Sequence, residues 1–256
     1  MRDFNQAYVS NILPHFKEGF MDRWGFEEYN DPNKPAVFLG LYSSEDIEIF
    51  KNHKSYKILH FGGNDFKPFQ VDIVKKSPNT FCVGYGWLGE GLAKNQIPYK
   101  EVIIPLKDYS DFTPTPLGEN IYIYKGLHGN RPDYFKWEEV IKPLQQVFGE
   151  DRIIYTEFKS IEELKKDYYE NCFVYIKPNP RGGSTTMWEL GHMGRKTISF
   201  GQGNLPNVLN FSTLEDIIKH VMEESTKIGT IQTETSEATK NAFMNNDKWL
   251  NLSFYE

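Results

Sequence analysis

The sequence of 256 residues contains only two cysteines, and their scarcity excludes two kinds of scaffold. Cys82 and Cys172 lie 90 residues apart without a Cys-x-x-Cys pair, so neither a disulfide framework nor a thiolate zinc site is expected. No apolar run approaches the roughly 18 residues of a membrane-spanning helix, and the N-terminus lacks the apolar region of a signal peptide. These absences predict a cytoplasmic protein without a transmembrane segment.

Basic charge and metal-binding motifs are also in short supply. The chain has 29 Lys and Arg against 35 Asp and Glu, a net charge of −6, which disfavours a nucleic-acid partner. Its six histidines show no His-Glu-x-x-His spacing, and neither Asp-x-Asp nor a Gly-x-x-x-x-Gly-Lys-Ser/Thr loop occurs, so no metal site is predicted. Aromatic residues, by contrast, make up 15% of the chain and predict a well-packed core rather than disorder.

Strand-like and helix-like segments alternate along the chain in two series. Apolar runs predict strands at 36–41, 56–61, 80–84 and 101–106, and again at 121–124, 153–155, 173–176 and 197–200. Between the two series lies Thr113-Pro114-Thr115-Pro116, which has the composition of a linker. The pattern predicts an α/β fold with two domains, residues 1–113 and 114–256.

The segment from Tyr175 to Gly194 carries the densest chemical signal. A predicted strand ends at Lys177, a Gly182-Gly183 turn follows, and a helix opens with three hydroxyl residues. The N-terminus of a helix attracts anions, and glycines let a phosphate approach the backbone. Residues 171–205 carry four basic residues against one acid, a net of +3. The other interpretation is a plain strand-to-helix turn in which Thr186 and Glu189 form a capping box.

This segment resembles the C-terminal domain of GT-B glycosyltransferases. That family has a Gly-rich turn, a helix with a glutamate and a small-residue strand, matched here by Gly182-Gly183, by Glu189 and by Gly194-Arg195-Lys196-Thr197-Ile198. Lys125-Gly126 stands where the family often has a basic residue on the diphosphate. In the first half, residues 81–88, 97–98 and 102–106 resemble the strand–helix–strand that precedes the family's linker. Arg181 departs from the pattern, since the family has an acidic residue eight positions before the glutamate.

The resemblance implies two Rossmann-like βα domains that face each other across a cleft, with a C-terminal segment from about residue 236 packing back on the first domain. It implies a hexosyltransferase-like enzyme that moves a sugar without a metal from a nucleotide-diphosphate donor, with a UDP-sugar favoured, to a glycan or another hydroxyl acceptor. Viral enzymes that glucosylate nucleic-acid bases share this fold, but the acidic charge disfavours that acceptor. The implied donor-binding residues are Lys125, Lys177, Asn179, Arg181, Gly182, Gly183, Ser184, Thr185, Thr186 and Glu189.

The catalytic base is expected in the first half of the chain. Transfer to a hydroxyl with inversion needs a carboxylate or an imidazole within reach of that hydroxyl. His60 and Asp65 flank the end of the second predicted strand, where open α/β sheets bind ligands. Asp65 is the first candidate and His60 the second. The alternative for either residue is a structural role as the cap of the following helix.

Two other functions stay open from the sequence. Gly84, Gly86 and Gly89 form a Gly-x-Gly-x-x-Gly pattern after a predicted strand, with Asp108 nineteen residues further on, which suggests an NAD-dependent oxidoreductase. Trp87 crowds the place where a pyrophosphate would approach. The second alternative is a nucleotide-binding module without catalytic activity.

Overall fold

A computed structural model describes residues 2–125, 136–157, 159–179, 184–201 and 205–256. The chain forms two compact units, of which the first contains residues 1–108 and 243–256 and the second residues 109–242. Each unit is built on one sheet in which all strand pairs are parallel. Within the described residues, no helix has the length and apolar character needed to cross a bilayer.

The first unit contains a six-stranded sheet with the order β2-β1-β3-β4-β5-β6. Its strands are β1 (Gln6–Val9), β2 (Glu27–Glu28), β3 (Ala36–Leu39), β4 (Lys57–His60), β5 (Thr80–Gly84) and β6 (Tyr99–Glu101). Its helices are α1 (Pro14–Trp24), α2 (Ser44–Asn52), α3 (Pro68–Lys76) and α4 (Gly86–Lys94). The central strands β3 and β4 are buried along their whole length, as the apolar runs predicted.

The C-terminal segment completes the core of the first unit. The Leu250 carbonyl accepts the backbone N–H groups of Asp3 and Phe4, and a short 3₁₀ helix, Asp247–Leu250, buries Trp249 completely. The Trp249 ring packs edge-on against Trp24 at 5.1 Å between centroids. Burial of so large an aromatic side chain contributes on the order of 2–3 kcal/mol to the stability of this unit.

The structure departs from the sequence prediction at both edges of this sheet. Strands β1 and β2 were not predicted, and β6 ends at Glu101 instead of running through residues 101–106. The apolar stretch after Glu101 is buried for another reason, since Ile103 forms an isolated parallel bridge with Phe243 and its carbonyl accepts the N–H of Met244. Its hydrophobicity therefore reflects contact with the C-terminal segment.

The second unit contains a five-stranded sheet with the order β11-β10-β9-β7-β8. Its strands are β7 (Asn120–Tyr124), β8 (Ile153–Thr156), β9 (Cys172–Lys177), β10 (Lys196–Ser199) and β11 (Val208–Asn210). Its helices are α5 (Lys142–Phe148), α6 (Ile161–Glu163), α7 (Ser184–His192), α8 (Leu214–Ser225) and α9 (Thr233–Ala242). Two π-helical turns, Trp137–Ile141 and Leu164–Tyr169, adjoin α5 and α6.

Arg195 is fully buried at the amino end of β9. Its guanidinium donates to the carbonyls of Cys172, Thr115 and Pro116, and so fixes the segment that leads into β7. Cys172 begins β9 and Lys177 ends it, so Arg195 lies at the edge of the sheet opposite to Lys177. The sequence analysis includes Arg195 in a local cluster of positive charge, but in the structure its side chain binds backbone carbonyls and has a structural role.

Candidate active site

The order of the second sheet defines where a ligand would bind. From β7 the chain adds β8 on one side of the sheet and then crosses to add β9 on the other side. The order of the strands therefore reverses between the adjacent strands β7 and β9. In open α/β sheets such a switch point leaves a crevice outside the carboxyl ends of the two strands. Here these ends lead to Lys125 after β7 and to Lys177 on β9, and α7 begins seven residues after Lys177.

Lys125 is held between two aromatic rings. Its Nζ lies 5.1 Å from the ring centroid of Trp137 and 4.4 Å from that of Tyr155, and its backbone N–H donates to the Thr156 carbonyl at 2.7 Å. Ring faces attract cations and restrict the rotamers of a long lysine side chain. The arrangement places one cation at the carboxyl edge of the sheet, where the resemblance implies a contact with the diphosphate.

Lys177 is a buried cation at the same edge. The side chain is only 4% exposed, and Nζ donates to the Asn179 carbonyl at 2.7 Å. Burial lowers the pKa of Lys177 to about 7, because removal from water penalises the charged form. The group is therefore poised to gain or lose a proton near neutral pH.

Helix α7 carries Glu189 into the interior of the unit. Glu189 is 4% exposed, and its carboxylate accepts a hydrogen bond from the Tyr169 hydroxyl at 2.6 Å. Because α7 begins at Ser184, Thr186 is already inside its first turn and Glu189 lies in the second. Thr186 is therefore not the N-cap residue, and the interpretation of the pair as a capping box is wrong.

The remaining predicted donor residues divide into two groups. Arg181, Gly182 and Gly183 lie outside the described residues. Ser184 opens α7, Thr185 is half-buried and Thr186 is buried. His192, at the end of α7, is buried in the unit, since its Nδ1 lies 2.8 Å from the Trp188 carbonyl and its ring stacks on Tyr109.

The first sheet has its own switch point, between β1 and β3, and Asp65 organises the loops beside it. One oxygen of the carboxylate accepts the Leu41 N–H at 2.7 Å and the other accepts the Gly63 N–H at 2.8 Å. Asp65 is almost fully buried, and burial raises its pKa although these backbone hydrogen bonds act in the opposite direction. The geometry joins the loop after β3 to the loop after β4.

His60 ends β4 and pairs in register with Leu39 of β3 and Val83 of β5. It is 6% exposed, and neither ring nitrogen reaches a described partner at hydrogen-bonding distance and angle. Burial lowers the pKa of His60 to about 4, and the backbone of residues 60 and 61 offsets only part of this effect. The imidazole is consequently neutral at physiological pH.

A buried carboxylate that the sequence did not single out completes this edge. Asp46 accepts the hydroxyls of Tyr8 and Ser10, each at 2.8 Å, and the backbone N–H groups of Tyr42 and Ser43, each at 2.7 Å. These contacts join the end of β1 to the start of α2. The only signal in the sequence was the Ser43-x-x-Asp46 spacing of a capping box, which the structure contains.

The Gly-x-Gly-x-x-Gly pattern begins at Gly84, the last residue of β5, and continues into α4, where its glycines allow close packing. A Cβ atom on Gly84 would lie 3.2 Å from the Leu92 side chain, and one on Gly89 would lie 3.1 Å from the Tyr99 ring. These contacts explain two glycines by the approach of α4 to the sheet. The structure gives no support to the oxidoreductase interpretation.

Comparisons with known proteins identify the fold. No family model and no curated protein sequence matches the chain. Among solved structures, sucrose-phosphate synthase from Thermosynechococcus elongatus is similar with a TM-score of 0.55 and 11% identity, over 92% of this chain and 74% of that one. The lipopolysaccharide outer core galactosyltransferase WaaB, in its apo form, has a TM-score of 0.54 and 10% identity, over 86% of this chain and 72% of that one. An α1,3-fucosyltransferase has a TM-score of 0.51 and 8% identity, over 98% of this chain and 92% of that one.

The chain has the fold of GT-B glycosyltransferases. The expected α/β architecture with two Rossmann-like units is confirmed. Identities of 8–11% establish the fold alone, and a fold does not specify a reaction. The chemistry depends on the residues at the two switch points.

Proposed function

We propose that this protein is a glycosyltransferase that moves a hexosyl group from a nucleotide-diphosphate sugar, with a UDP-sugar favoured, to a hydroxyl acceptor such as a glycan, without a metal ion. The observation that carries the proposal is the switch point of the second sheet. There two lysines, on adjacent strand ends, accompany the start of a helix that bears a buried glutamate. This combination suits a ligand with an anionic part and a hydroxyl-rich part.

The proposed chemistry rests on stabilisation of the leaving diphosphate. Negative charge develops on the oxygen of the departing diphosphate as the glycosidic bond breaks, and groups that already point at that oxygen lower the barrier. Lys125, Lys177 and the backbone N–H groups at the start of α7 would supply this stabilisation. Arg181 would add a further positive charge, and Glu189 would bind the ribose hydroxyls.

A proton acceptor for the attacking hydroxyl belongs to the first unit in this proposal. A general base must be unprotonated at the working pH and must have a lone pair available. Each carboxylate oxygen of Asp65 accepts one backbone N–H and keeps a second lone pair, while both ring nitrogens of His60 are buried and its imidazole is neutral. We therefore keep Asp65 as the first candidate for the base and His60 as the second.

A thermal-shift panel of UDP, GDP, ADP and NAD, followed by titration calorimetry, tests the donor class. UDP or GDP should stabilise the wild-type protein, and nucleotide-sugar hydrolysis should continue in excess EDTA. Glu189→Gln should weaken nucleotide binding by roughly tenfold, since a hydrogen bond to a charged group is worth about 1.5–3 kcal/mol. Glu215 is an exposed glutamate on α8, so Glu215→Gln is the matched control and should leave the affinity for the nucleotide unchanged.

The outcomes separate the candidate functions. Stabilisation by NAD alone would replace the proposal with an oxidoreductase. Nucleotide binding without hydrolysis or transfer across a set of nucleotide sugars would replace it with an inactive binding module. Loss of hydrolysis in EDTA would contradict the metal-independent mechanism.

A further inference from the structure

Tyr169 is a fully buried tyrosine that reaches Glu189 from a different element. It ends the π-helical turn Leu164–Tyr169, and its hydroxyl donates to Oε2 of Glu189 at 2.6 Å. The same hydroxyl interacts with Thr186, which lies three residues before Glu189 on α7. One side chain thus contacts two residues on one face of this helix.

The orientation of the Tyr169 ring is itself constrained. Tyr122 on β7 packs edge-on against it, with 5.6 Å between ring centroids, and also contacts Tyr175 on β9. Burial, together with the Glu189 charge, holds the pKa of Tyr169 well above its usual value, so the hydroxyl stays protonated. A hydroxyl that cannot ionise remains a permanent donor to the carboxylate.

A buried carboxylate requires such partners, because an unpaired charge in the interior is strongly destabilising. A bond of 2.6 Å from a rigid ring also restricts the rotamers of the glutamate and fixes which way its plane faces. We propose that Tyr169 is the positioning residue that orients the Glu189 carboxylate toward the ribose hydroxyls of the donor. The inference rests on the proposed function, because it assumes that Glu189 meets the ribose.

The experiment compares UDP with 2′,3′-dideoxy-UDP, which keeps the base and diphosphate but lacks both ribose hydroxyls. The ratio of the two affinities, measured by titration calorimetry, isolates the ribose contact. In the wild-type protein UDP should bind roughly tenfold more tightly, and Glu189→Gln should remove most of this preference. Tyr169→Phe should reduce the preference about threefold to tenfold, with little change in the affinity for the dideoxy compound.

Tyr122→Phe is the matched control. It also deletes a buried tyrosine hydroxyl from the same aromatic cluster, but that hydroxyl bonds to Thr156 at 2.8 Å instead of Glu189. It should lower the melting temperature about as much as Tyr169→Phe and leave the UDP preference intact.

Three results would overturn the inference. If Tyr169→Phe keeps the full preference while Glu189→Gln loses it, Tyr169 only joins two structural elements. If Tyr122→Phe reduces the preference as much as Tyr169→Phe, the effect belongs to general packing. If the wild-type protein binds neither compound, the donor site and the proposed function fail together, and the inference fails with them.

Discussion

Binding of a nucleoside diphosphate should draw a proton onto Lys177. With a pKa of about 7 in the unliganded protein, roughly nine-tenths of the Lys177 side chains are neutral at pH 8. A diphosphate near Nζ favours the charged form and returns the pKa toward its ordinary value of about 10.4. Complex formation at pH 8 should therefore take up close to one proton, and about half a proton at pH 7.

Titration calorimetry in two buffers of different ionisation enthalpy measures this uptake directly. The observed enthalpy for UDP binding at pH 8 should differ between Tris and HEPES by close to the full difference in their ionisation enthalpies. Affinity should also fall as the pH rises from 7 to 9, because the free protein must first acquire the proton.

Lys177→Met is the decisive variant. It keeps an unbranched side chain of similar length and removes the titrating group, so its proton uptake should vanish. The same change should stabilise the free protein at pH 7, since the buried cation is costly there, and should remove the gain in stability that the wild type shows as pH rises from 7 toward 10. Equal proton uptake by the wild type and Lys177→Met would refute the assignment of Lys177 to the diphosphate.

Two further predictions concern His60 and the aromatic rings around Lys125. Burial lowers the pKa of His60 to about 4, below the roughly 6.5 of an unfolded chain, so the stability that the neutral imidazole contributes is intact above pH 6.5 and is lost as pH falls toward 4. In urea unfolding we expect the free energy of unfolding to fall by about 2 kcal/mol by pH 5. His60→Gln should largely abolish this loss, and an equally steep pH dependence in His60→Gln would contradict the prediction. Trp137→Leu removes one of the two rings that contact Lys125 and should weaken UDP binding about threefold in calorimetry, whereas Trp137→Phe should retain most of the affinity. Equal affinities for the wild type and Trp137→Leu would show that the ring does not position the lysine.

The alternating strands were predictable because parallel sheets bury both faces of their central strands. The runs at 36–39 and 172–177 are buried along their whole length and are correspondingly apolar. Strand β1 escaped prediction because it contains Gln6, a polar residue that is nevertheless buried. The Gln6 amide exchanges hydrogen bonds with the backbone of residues 30, 31 and 34, which lie far away in sequence. A local sequence pattern cannot predict the burial of a polar residue whose hydrogen-bond partners lie in a distant loop.

The same distinction holds at the candidate donor site. Lys125, Lys177 and Glu189 could be singled out because they stand at strand ends or on the helix of a recognisable strand–turn–helix segment. Tyr169 lies 20 residues before Glu189 and belongs to another element, so its role follows only from the packing of that element against α7. The ring of Trp137 on Lys125 is likewise a tertiary contact.

The buried polar groups of the second unit differ in what explains them. Arg195 is fully accounted for by the scaffold, since it satisfies carbonyl groups that would otherwise be buried without donors. Lys177 differs, because burial depresses its pKa to about 7 and it stands at the carboxyl end of β9, beside the switch point of the sheet. Groups with strongly shifted pKa values concentrate at functional sites. A diphosphate bound at the switch point, as proposed, would favour the charged form of Lys177, which is why this lysine, more than the glycines of the turn, connects the fold to the proposed reaction.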